Sequence, residues 1–238
     1  LLRDSLGLAM PSRREPAPVL DLPVTERIAA AEGVLRAMSL TEGFAPMVLV
    51  CGHGATVTNA PHASALQCGA CGGFAGDVNA RLLAGLLNER DVRAGLRAKG
   101  ITIPEETYFL AGLHDTVSDT VRLFDETLRE SRRSEVERLR TALAKAGLLT
   151  RTERAQSLPR GSEAGLVRRG QDWSEVRPEW GLAGCRGFVA APRGRPAKHH
   201  PGGTVFLHDY DWRLDEGAET LELILSAPVV VASWIALQ

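Results

Sequence analysis

The stretch Ala45–Gly54 has the sequence A-P-M-V-L-V-C-G-H-G, and it decides how we interpret the fold. Its first part, Ala45–Val50, is a continuous apolar run that is too short for a helix. A short run that is apolar on both faces is typical of a central strand in a parallel sheet. Cys51–Gly54 follow this predicted strand directly, at the carboxyl end where open α/β sheets place their binding sites.

Helical and strand patterns alternate around this stretch. Apolar residues recur at helical spacing from Thr25, a predicted N-cap, to Met38, and again over Asn79–Lys99 as one broken helix or two short ones. Thr107–His114 is a second predicted strand. Strand, helix, strand is typical of the crossover that joins parallel strands. The sequence therefore predicts an α/β fold with a mainly parallel sheet flanked by helices.

The second half of the chain is predicted to contain a less regular segment, at about 130–172. Ser134 forms a capping box with Glu137, which predicts a helix to about Gly147. Arg151–Gln171 is rich in arginine and glycine and shows no periodicity. Two short strands and a final apolar helix or strand are predicted after it: Gly187–Ala191, Thr204–His208 and Leu223–Gln238.

Composition limits the classes of protein that fit. The 238 residues are 44% apolar, which is enough for a hydrophobic core. The 28 Lys and Arg nearly balance the 29 Asp and Glu, which argues against a nucleic-acid partner. Four cysteines without a signal peptide indicate a reducing, cytoplasmic setting.

The two ends of the sequence favour a piece of a longer chain. The first residue is leucine, and the apolar segment Val229–Gln238 stops without a cap or a polar tail. Residues 1–23 contain four prolines after position 10 and are predicted to be an extended lead-in or linker. Residues 24–238 are predicted to be part of one domain.

Three cysteines and one histidine lie within twenty-one residues, and they are the candidate site. Cys51 and His53 come from C-G-H-G, while Cys68 and Cys71 come from C-G-A-C-G-G. Thiolates and imidazoles are the ligands that Zn²⁺ prefers in a reducing compartment. On spacing alone, all four residues could form a closed structural zinc site. A buried group of free thiols and a redox pair, Cys68 with Cys71, are the alternatives.

The glycine-rich stretch Gly72–Ala80 leads into the predicted helix that follows the cysteines. Free N–H groups at the start of a helix can hold an anion. Alternatively, glycines such as Gly76 only let the helix and the strand pack closely. The stretch has neither of the common glycine patterns that bind nucleotide phosphates.

Two predicted strands end in a histidine followed by an aspartate, His114-Asp115 and His208-Asp209. A histidine in such a position can support a metal ligand or relay protons. We expect each histidine instead to bond the backbone of the adjoining loop.

Several longer motifs carry a resemblance to a known family. They are C-G-H-G at 51–54, T-N-A-P-H-A-S-A-L-Q-C-G-A-C-G-G at 58–73, G-D-V-N-A-R-L-L-A-G-L-L-N at 76–88, R-P-E-W-G-L-A at 177–183, F-L-H-D-Y-D at 206–211, and L-E-L-I-L-S-A-P-V-V-V-A-S-W-I-A-L-Q at 221–238. In this order they resemble the DabA family, the probable inorganic carbon transporter subunits with a core like that of β-carbonic anhydrase. The resemblance covers nearly the whole chain from about residue 20, and it implies that core in an incomplete form.

The resemblance also implies a zinc site that hydrates carbon dioxide to bicarbonate. The family binds Zn²⁺ through a cysteine and an aspartate of an upstream C-x-D-x-R segment, the histidine of C-G-H-G and a cysteine fifteen residues later. The last two ligands correspond to His53 and Cys68, whereas no C-x-D-x-R occurs in this chain. The resemblance therefore implies that Cys51 and Cys71 are not ligands and that the isolated chain is inactive.

Finally, the resemblance implies partners and a location. Family members are expected to work with a membrane-embedded subunit that conducts protons and resembles the antiporter-like subunits of respiratory complex I. The substrates are carbon dioxide and bicarbonate. The expected location is the cytoplasmic side of the plasma membrane, as a peripheral protein.

Overall fold

A computed structural model describes residues 17–60, 63–126, 128–156, 158, 161–175, 185–199, 201–202 and 204–237. These residues form seven α-helices and five β-strands, a mixed α/β fold. In chain order the elements are α1 (Val24–Ala37), β1 (Met47–Gly54), α2 (Asp77–Asn88), α3 (Arg90–Ala98), β2 (Tyr108–Asp115), β3 (Thr120–Phe124), α4 (Arg133–Ala155), α5 (Glu163–Gln171), β4 (Gly187–Ala190), β5 (Val205–His208), α6 (Glu219–Ser226) and α7 (Pro228–Leu237).

The chain folds as two compact units. The first unit includes Leu49–Ala84 and Phe109–Gly181, and the second includes Leu20–Val48, Gly85–Tyr108 and Leu182–Gln238. All four residues of the predicted zinc cluster fall within the first unit.

A three-stranded sheet in the order β1-β2-β3 carries the predicted site. At one end of the β1–β2 pair, Tyr108 N donates to Pro46 O, and at the other end Thr116 N donates to Gly54 O, both at 2.9 Å. Donor and acceptor are 62 residues apart in each case (108 − 46 and 116 − 54), and a constant offset means that the two strands are parallel. The predicted connection of two parallel strands through helices is confirmed.

The third strand corrects the prediction of a mainly parallel sheet. β3 pairs with β2 in the antiparallel sense, with Asp115 opposite Thr120. Only residues 116–119 join the two strands, and a parallel neighbour would need a crossover of a dozen or more residues. The sheet is therefore mixed.

The first strand also differs from its prediction. It spans Met47–Gly54 rather than Ala45–Val50, because pairing with β2 continues as far as Gly54. Cys51 and His53 thus lie within the strand and not in a loop after it.

Helix α4 packs against β3 and α5 in the first unit. It begins one residue before Ser134, directly after a short 3₁₀ turn at Glu130–Arg132, so the predicted capping box is wrong. The 3₁₀ turn runs straight into the helix, and no side chain caps it. Arg151–Gln171 is more regular than predicted, since it contains the last turn of α4 and the whole of α5.

Helices α1 and α3 pack against each other in the second unit. Leu35, Val92 and Leu96 are fully buried, and Ile101 is nearly so. The predicted N-cap at Thr25 is wrong: α1 begins one residue earlier, because the carbonyl of Pro23 accepts the first hydrogen bonds of the helix.

The predicted strands near the C-terminus pair with each other. β4 and β5 form a parallel two-stranded sheet in which Gly187 lies beside Val205. The final apolar segment forms α6 and α7, and α7 begins at Pro228, where proline suits the first helical position. In the part of the chain that the structure describes, no helix is long and apolar enough to cross a membrane.

Candidate functional site

The end of β1 is held tightly against the residues that precede α2. Gly76 N donates to His53 O at 2.8 Å. A Cβ atom at Gly52 would lie 2.2 Å from Gly76 O, and a Cβ at Gly76 would lie 3.1 Å from Gly52 Cα. Two backbones approach this closely only where neither carries a side chain. These glycines therefore fix His53 relative to the start of α2.

This contact supports the packing interpretation of Gly76 over the anion-binding one. Helix α2 begins at Asp77, so a carboxylate already occupies its first turn. A negative side chain there satisfies the positive end of the helix dipole and repels a second anion.

The loop that carries Cys68 and Cys71 closes on itself. Cys68 N donates to Phe74 O, and Gly73 N donates to Cys68 O, each at 3.1 Å. Gly72 and Gly73 have φ values of 66° and 83°, in the left-handed region that glycine adopts without strain. The glycines of C-G-A-C-G-G thus allow the chain to turn back around Cys68.

The side chain of Gln67 joins this loop to the end of β1. Its Nε2 donates to Ala55 O at 2.8 Å, and its Oε1 accepts from Ala55 N at 3.3 Å. Gln67 precedes Cys68, and Ala55 lies two residues after His53. The structure therefore links the segments that carry the two predicted zinc ligands.

His53 presents an atom that lacks a partner. Its Nδ1 is buried and has no hydrogen-bond partner among the described residues. Burial lowers the pKa of His53, and the nearby His114 acts in the same direction. The neutral imidazole is the form that binds a metal ion.

Cys71 and Cys51 have other contacts. Asn79 Nδ2 donates to Cys71 Sγ at 3.2 Å. Burial raises the pKa of the Cys71 thiol, and its hydrogen bond with Cys68 acts in the same direction. Cys51 is exposed and donates to Gly52 O at 3.4 Å. Among the described residues, no group of three or more Cys, His, Asp or Glu side chains is placed to hold a metal ion.

A largely buried ionic cluster lies next to the end of the neighbouring strand β2, and sequence reasoning missed most of it. His114 Nε2 donates to Asp119 Oδ1 at 3.0 Å, and Arg154 of α4 forms an ion pair with the same carboxylate. Arg154 also donates to Thr116 O at 3.0 Å. The Asp119 side chain is only 5% exposed. No sequence pattern connects Asp119 with Arg154, since they are 35 residues apart (154 − 119).

The two strand-ending histidines therefore differ. His208 Nδ1 donates to the backbone oxygen of Asp209 at 2.9 Å, as predicted. For His114 the structure shows a side-chain partner, since Asp119 Oδ1 accepts a hydrogen bond from its Nε2–H.

Comparison with known proteins places the whole chain in one family. Residues 3–238 match the family model described as "Probable inorganic carbon transporter subunit DabA". The chain belongs to the DabA family. This confirms the resemblance inferred from the motifs.

Curated DabA relatives from three genera show the extent of the match, and each is named probable inorganic carbon transporter subunit DabA. The identity is 59% over 243 residues for Methylobacterium sp. (strain 4-46), 58% over 245 residues for Ruegeria sp. (strain TM1040) and 54% over 243 residues for Xanthomonas oryzae pv. oryzae (strain PXO99A). Each match covers 100% of this chain, but the chain spans only 30% of the length of each relative. No solved structure matches the chain.

Proposed function

We propose that this chain contributes His53 and Cys68 to a zinc site that hydrates carbon dioxide to bicarbonate, within a subunit of an energy-coupled inorganic carbon uptake complex. The family match and the names of the relatives support the carbon-transport part of the proposal. One structural observation supports the site: the side chain of Gln67 holds the Cys68 loop against the end of the strand that carries His53.

The donor atoms of these two residues fit zinc. Imidazole nitrogen and thiolate sulfur are both zinc ligands, and His53 Nδ1 is a buried polar atom with no protein partner among the described residues. Two ligands do not complete a zinc site, which takes four. We assign the remaining positions to a cysteine and an aspartate of the full-length protein that lie outside this chain. The proposed core like that of β-carbonic anhydrase stays a prediction.

Each residue has a defined task in this proposal. Bound zinc would lower the pKa of a water molecule to about 7 and so supply the hydroxide that attacks carbon dioxide, provided that the aspartate from outside this chain gives up its position on the metal to that water. His53 stays neutral because it is buried, and its backbone is fixed by the bond to Gly76. The loop bonds at Phe74 and Gly73 set the position of Cys68.

A closed zinc site in a module without chemistry is less well supported. Such a site would use Cys51, His53, Cys68 and Cys71, yet among the described residues no three metal-binding side chains are grouped. The alternative of a redox pair, Cys68 with Cys71, stays a prediction. Burial raises the pKa of the Cys71 thiol, and its hydrogen bond with Cys68 acts in the same direction.

The proposed complex includes a membrane-embedded, proton-conducting subunit that resembles those of respiratory complex I. The relatives are named as subunits of a transporter, which supports the presence of another subunit. The proposed location is peripheral, on the cytoplasmic side of the plasma membrane. Ion flow would drive uptake in one direction by favouring one state of the site over another.

Zinc content and carbon uptake of the full-length protein test this proposal. We expect His53→Ala and Cys68→Ala to abolish both zinc binding and uptake. Cys51→Ala is the matched control, because Cys51 lies on the same strand two residues from His53 and should retain most of the metal. Wild-type zinc, measured by elemental analysis, in the Cys68→Ala protein would overturn the ligand assignment.

The isolated 238-residue chain provides a second test. It should bind zinc weakly and show no hydration of carbon dioxide above the rate in buffer, since half of the proposed ligands are missing. Stopped-flow measurement on the zinc-loaded chain checks this expectation. A robust zinc-dependent rate would show that the outside cysteine and aspartate are dispensable.

A further inference from the structure

His114 is on β2, the central strand of the sheet, and it lies beside His53 of the neighbouring strand β1. In a parallel pair of strands, a residue whose amide donates to the carbonyl of residue i lies directly beside residue i+1. The amide of Thr116 donates to Gly54 O. Thr116 therefore lies beside Ala55. Two residues earlier on both strands, His114 therefore lies beside His53. Laterally paired side chains point to the same face of a sheet, so the two imidazoles are neighbours.

A buried carboxylate accepts a hydrogen bond from the ring of His114. Its Nε2–H donates to Asp119 Oδ1 at 3.0 Å, which leaves the lone pair of Nδ1 as an acceptor in the neutral ring. Arg154 pairs with the same carboxylate, and both of these charged side chains are largely buried, at 5% exposure for Asp119 and 16% for Arg154. The buried Asp119–Arg154 ion pair therefore lies next to His114, whose neighbour on β1 is the proposed zinc ligand His53.

The turn that carries Asp119 is conformationally unusual. Asp119 has a φ of 52°, in the left-handed region that is unfavourable for a residue with a side chain. Its amide donates to Asp115 O at 2.8 Å, and α4 approaches so closely that a Cβ at Gly147 would lie 2.3 Å from Asp119 O. Such a conformation persists where the surroundings over-determine it, as the close approach of α4 does here.

We propose that Asp119 and Arg154 are positioning residues, which fix the ring and tautomer of His114 so that His114 in turn restrains the imidazole of His53. The inference rests on the proposed function, because it takes His53 as a zinc ligand. Groups that orient a metal ligand from outside the coordination sphere typically change metal affinity by about 10- to 100-fold when they are removed.

The chain offers a matched control on the same helix. Arg140 of α4 pairs with Asp125, just after β3, at 2.9 Å, as Arg154 pairs with Asp119, just before β3. The Arg140 pair is exposed, with side-chain exposures of 45% and 34%. Arg140→Ala therefore removes an Arg–Asp pair from α4 without affecting His114.

The experiment compares His114→Ala, Arg154→Ala, Arg154→Lys and Arg140→Ala in the full-length protein. Zinc affinity is measured by competition with a chromophoric chelator, and the ligand geometry is followed in the visible spectrum of the cobalt-substituted protein. We expect His114→Ala and Arg154→Ala to weaken zinc binding by about 10- to 100-fold and to shift the cobalt bands. Arg154→Lys should restore part of the affinity, and Arg140→Ala should match the wild type.

Wild-type affinity and an unshifted cobalt spectrum in His114→Ala would overturn the inference. This variant alone suffices if Arg154→Ala does not fold, because the His114 side chain is 37% exposed and its truncation leaves the Asp119–Arg154 pair intact. His53→Ala separates the two proposals. Loss of zinc in His53→Ala with full zinc affinity in His114→Ala refutes only this inference, whereas retention of zinc in His53→Ala refutes the proposed function.

Discussion

The pairs His114-Asp115 and His208-Asp209 look alike in sequence and occupy like positions, at the ends of β2 and β5. In the second unit, His208 bonds the backbone of the next residue. In the first unit, His114 bonds a buried carboxylate that an arginine of α4 holds in place. The difference shows that a distant helix, and not the local dipeptide, decides what a strand-ending histidine does.

Carboxylates in the two units show the same contrast. Glu32 of the second unit lies between two cations on the surface, with Lys99 Nζ at 2.8 Å and Arg36 Nε at 3.0 Å. Asp119 of the first unit also has two basic partners, but it is buried. Exposed ion pairs contribute about 0–1 kcal/mol, whereas breaking a buried pair costs several times more. Because its ion pair is buried, we expect mutations in the Asp119 cluster to cost more unfolding free energy than mutations of the exposed Glu32 pairs.

The largest loss of unfolding free energy should come from Asp119→Ala. Removing this carboxylate leaves the buried Arg154 without its counter-ion, which should cost about 3–5 kcal/mol of unfolding free energy. Asp209→Ala, which removes the carboxylate next to His208 in the second unit, is the control. It removes one hydrogen bond, from Arg193 N at 3.0 Å, which is worth about 1 kcal/mol. Thermal unfolding of the full-length variants checks this, and equal shifts in the two would refute the contrast.

A smaller difference in unfolding free energy should distinguish Gly52 from Gly95, where an added Cβ atom would clash at the same distance. A Cβ at Gly52 in the first unit or at Gly95 in the second would lie 2.2 Å from its nearest neighbour. At Gly52 that neighbour is the backbone oxygen of Gly76, while at Gly95 it is Cδ1 of the Ile28 side chain, whose Cγ1 and Cγ2 would lie at 2.6 and 3.0 Å.

We therefore expect Gly52→Ala to cost about 1–3 kcal/mol, as overpacking does. Gly95→Ala should cost less, because a side chain moves more easily than a backbone and alanine in a helix gains roughly 0.5–1 kcal/mol over glycine. The measurement is again the unfolding transition of the full-length protein. If Gly95→Ala proved the more destabilising, the close backbone contact at Gly52 would be refuted.

The smallest loss of unfolding free energy is expected for Glu32→Gln. Hydrogen bonds from Lys99 and Arg36 lower the pKa of Glu32 from its ordinary value of 4.5. A lowered pKa in the folded state means that the stabilisation is present above pH 4.5 and is lost as the pH falls through the folded-state value. Glu32→Gln should thus cost less than about 1 kcal/mol at pH 7 and nothing in strong acid. A cost that is the same at both pH values would contradict this.

Local patterns predicted the elements that depend on local chemistry. The helices over Asn79–Lys99 were predicted from apolar periodicity and the following glycine, and β2 from a short apolar run. The end of β1 was missed because its limit depends on pairing with β2, more than fifty residues later. The start of α4 was missed because a 3₁₀ turn feeds the helix and makes the capping box at Ser134 unnecessary.

The candidate site was predicted unevenly for the same reason. Cys68 and His53 stand in recognisable motifs, so the sequence named them as candidates, together with Cys51 and Cys71, and the family resemblance singled out these two. Asp119 and Arg154 belong to no motif, and only the close packing of Gly147 against the β2–β3 turn brings them together. Contacts between distant residues of ordinary type leave no pattern in a single sequence.

The mixed sheet has a consequence for the order of folding. β2 and β3 are joined by residues 116–119, so their hairpin closes a short loop, whereas pairing β1 with β2 closes a loop that contains both α2 and α3. Long loops cost more entropy and close more slowly. We expect the hairpin to form first and β1 to dock last, so that His53 reaches its position in the final step. Pulse-labelled hydrogen exchange tests this: protection of the Thr116 amide, which bonds β1, before that of the hairpin amides would contradict the order.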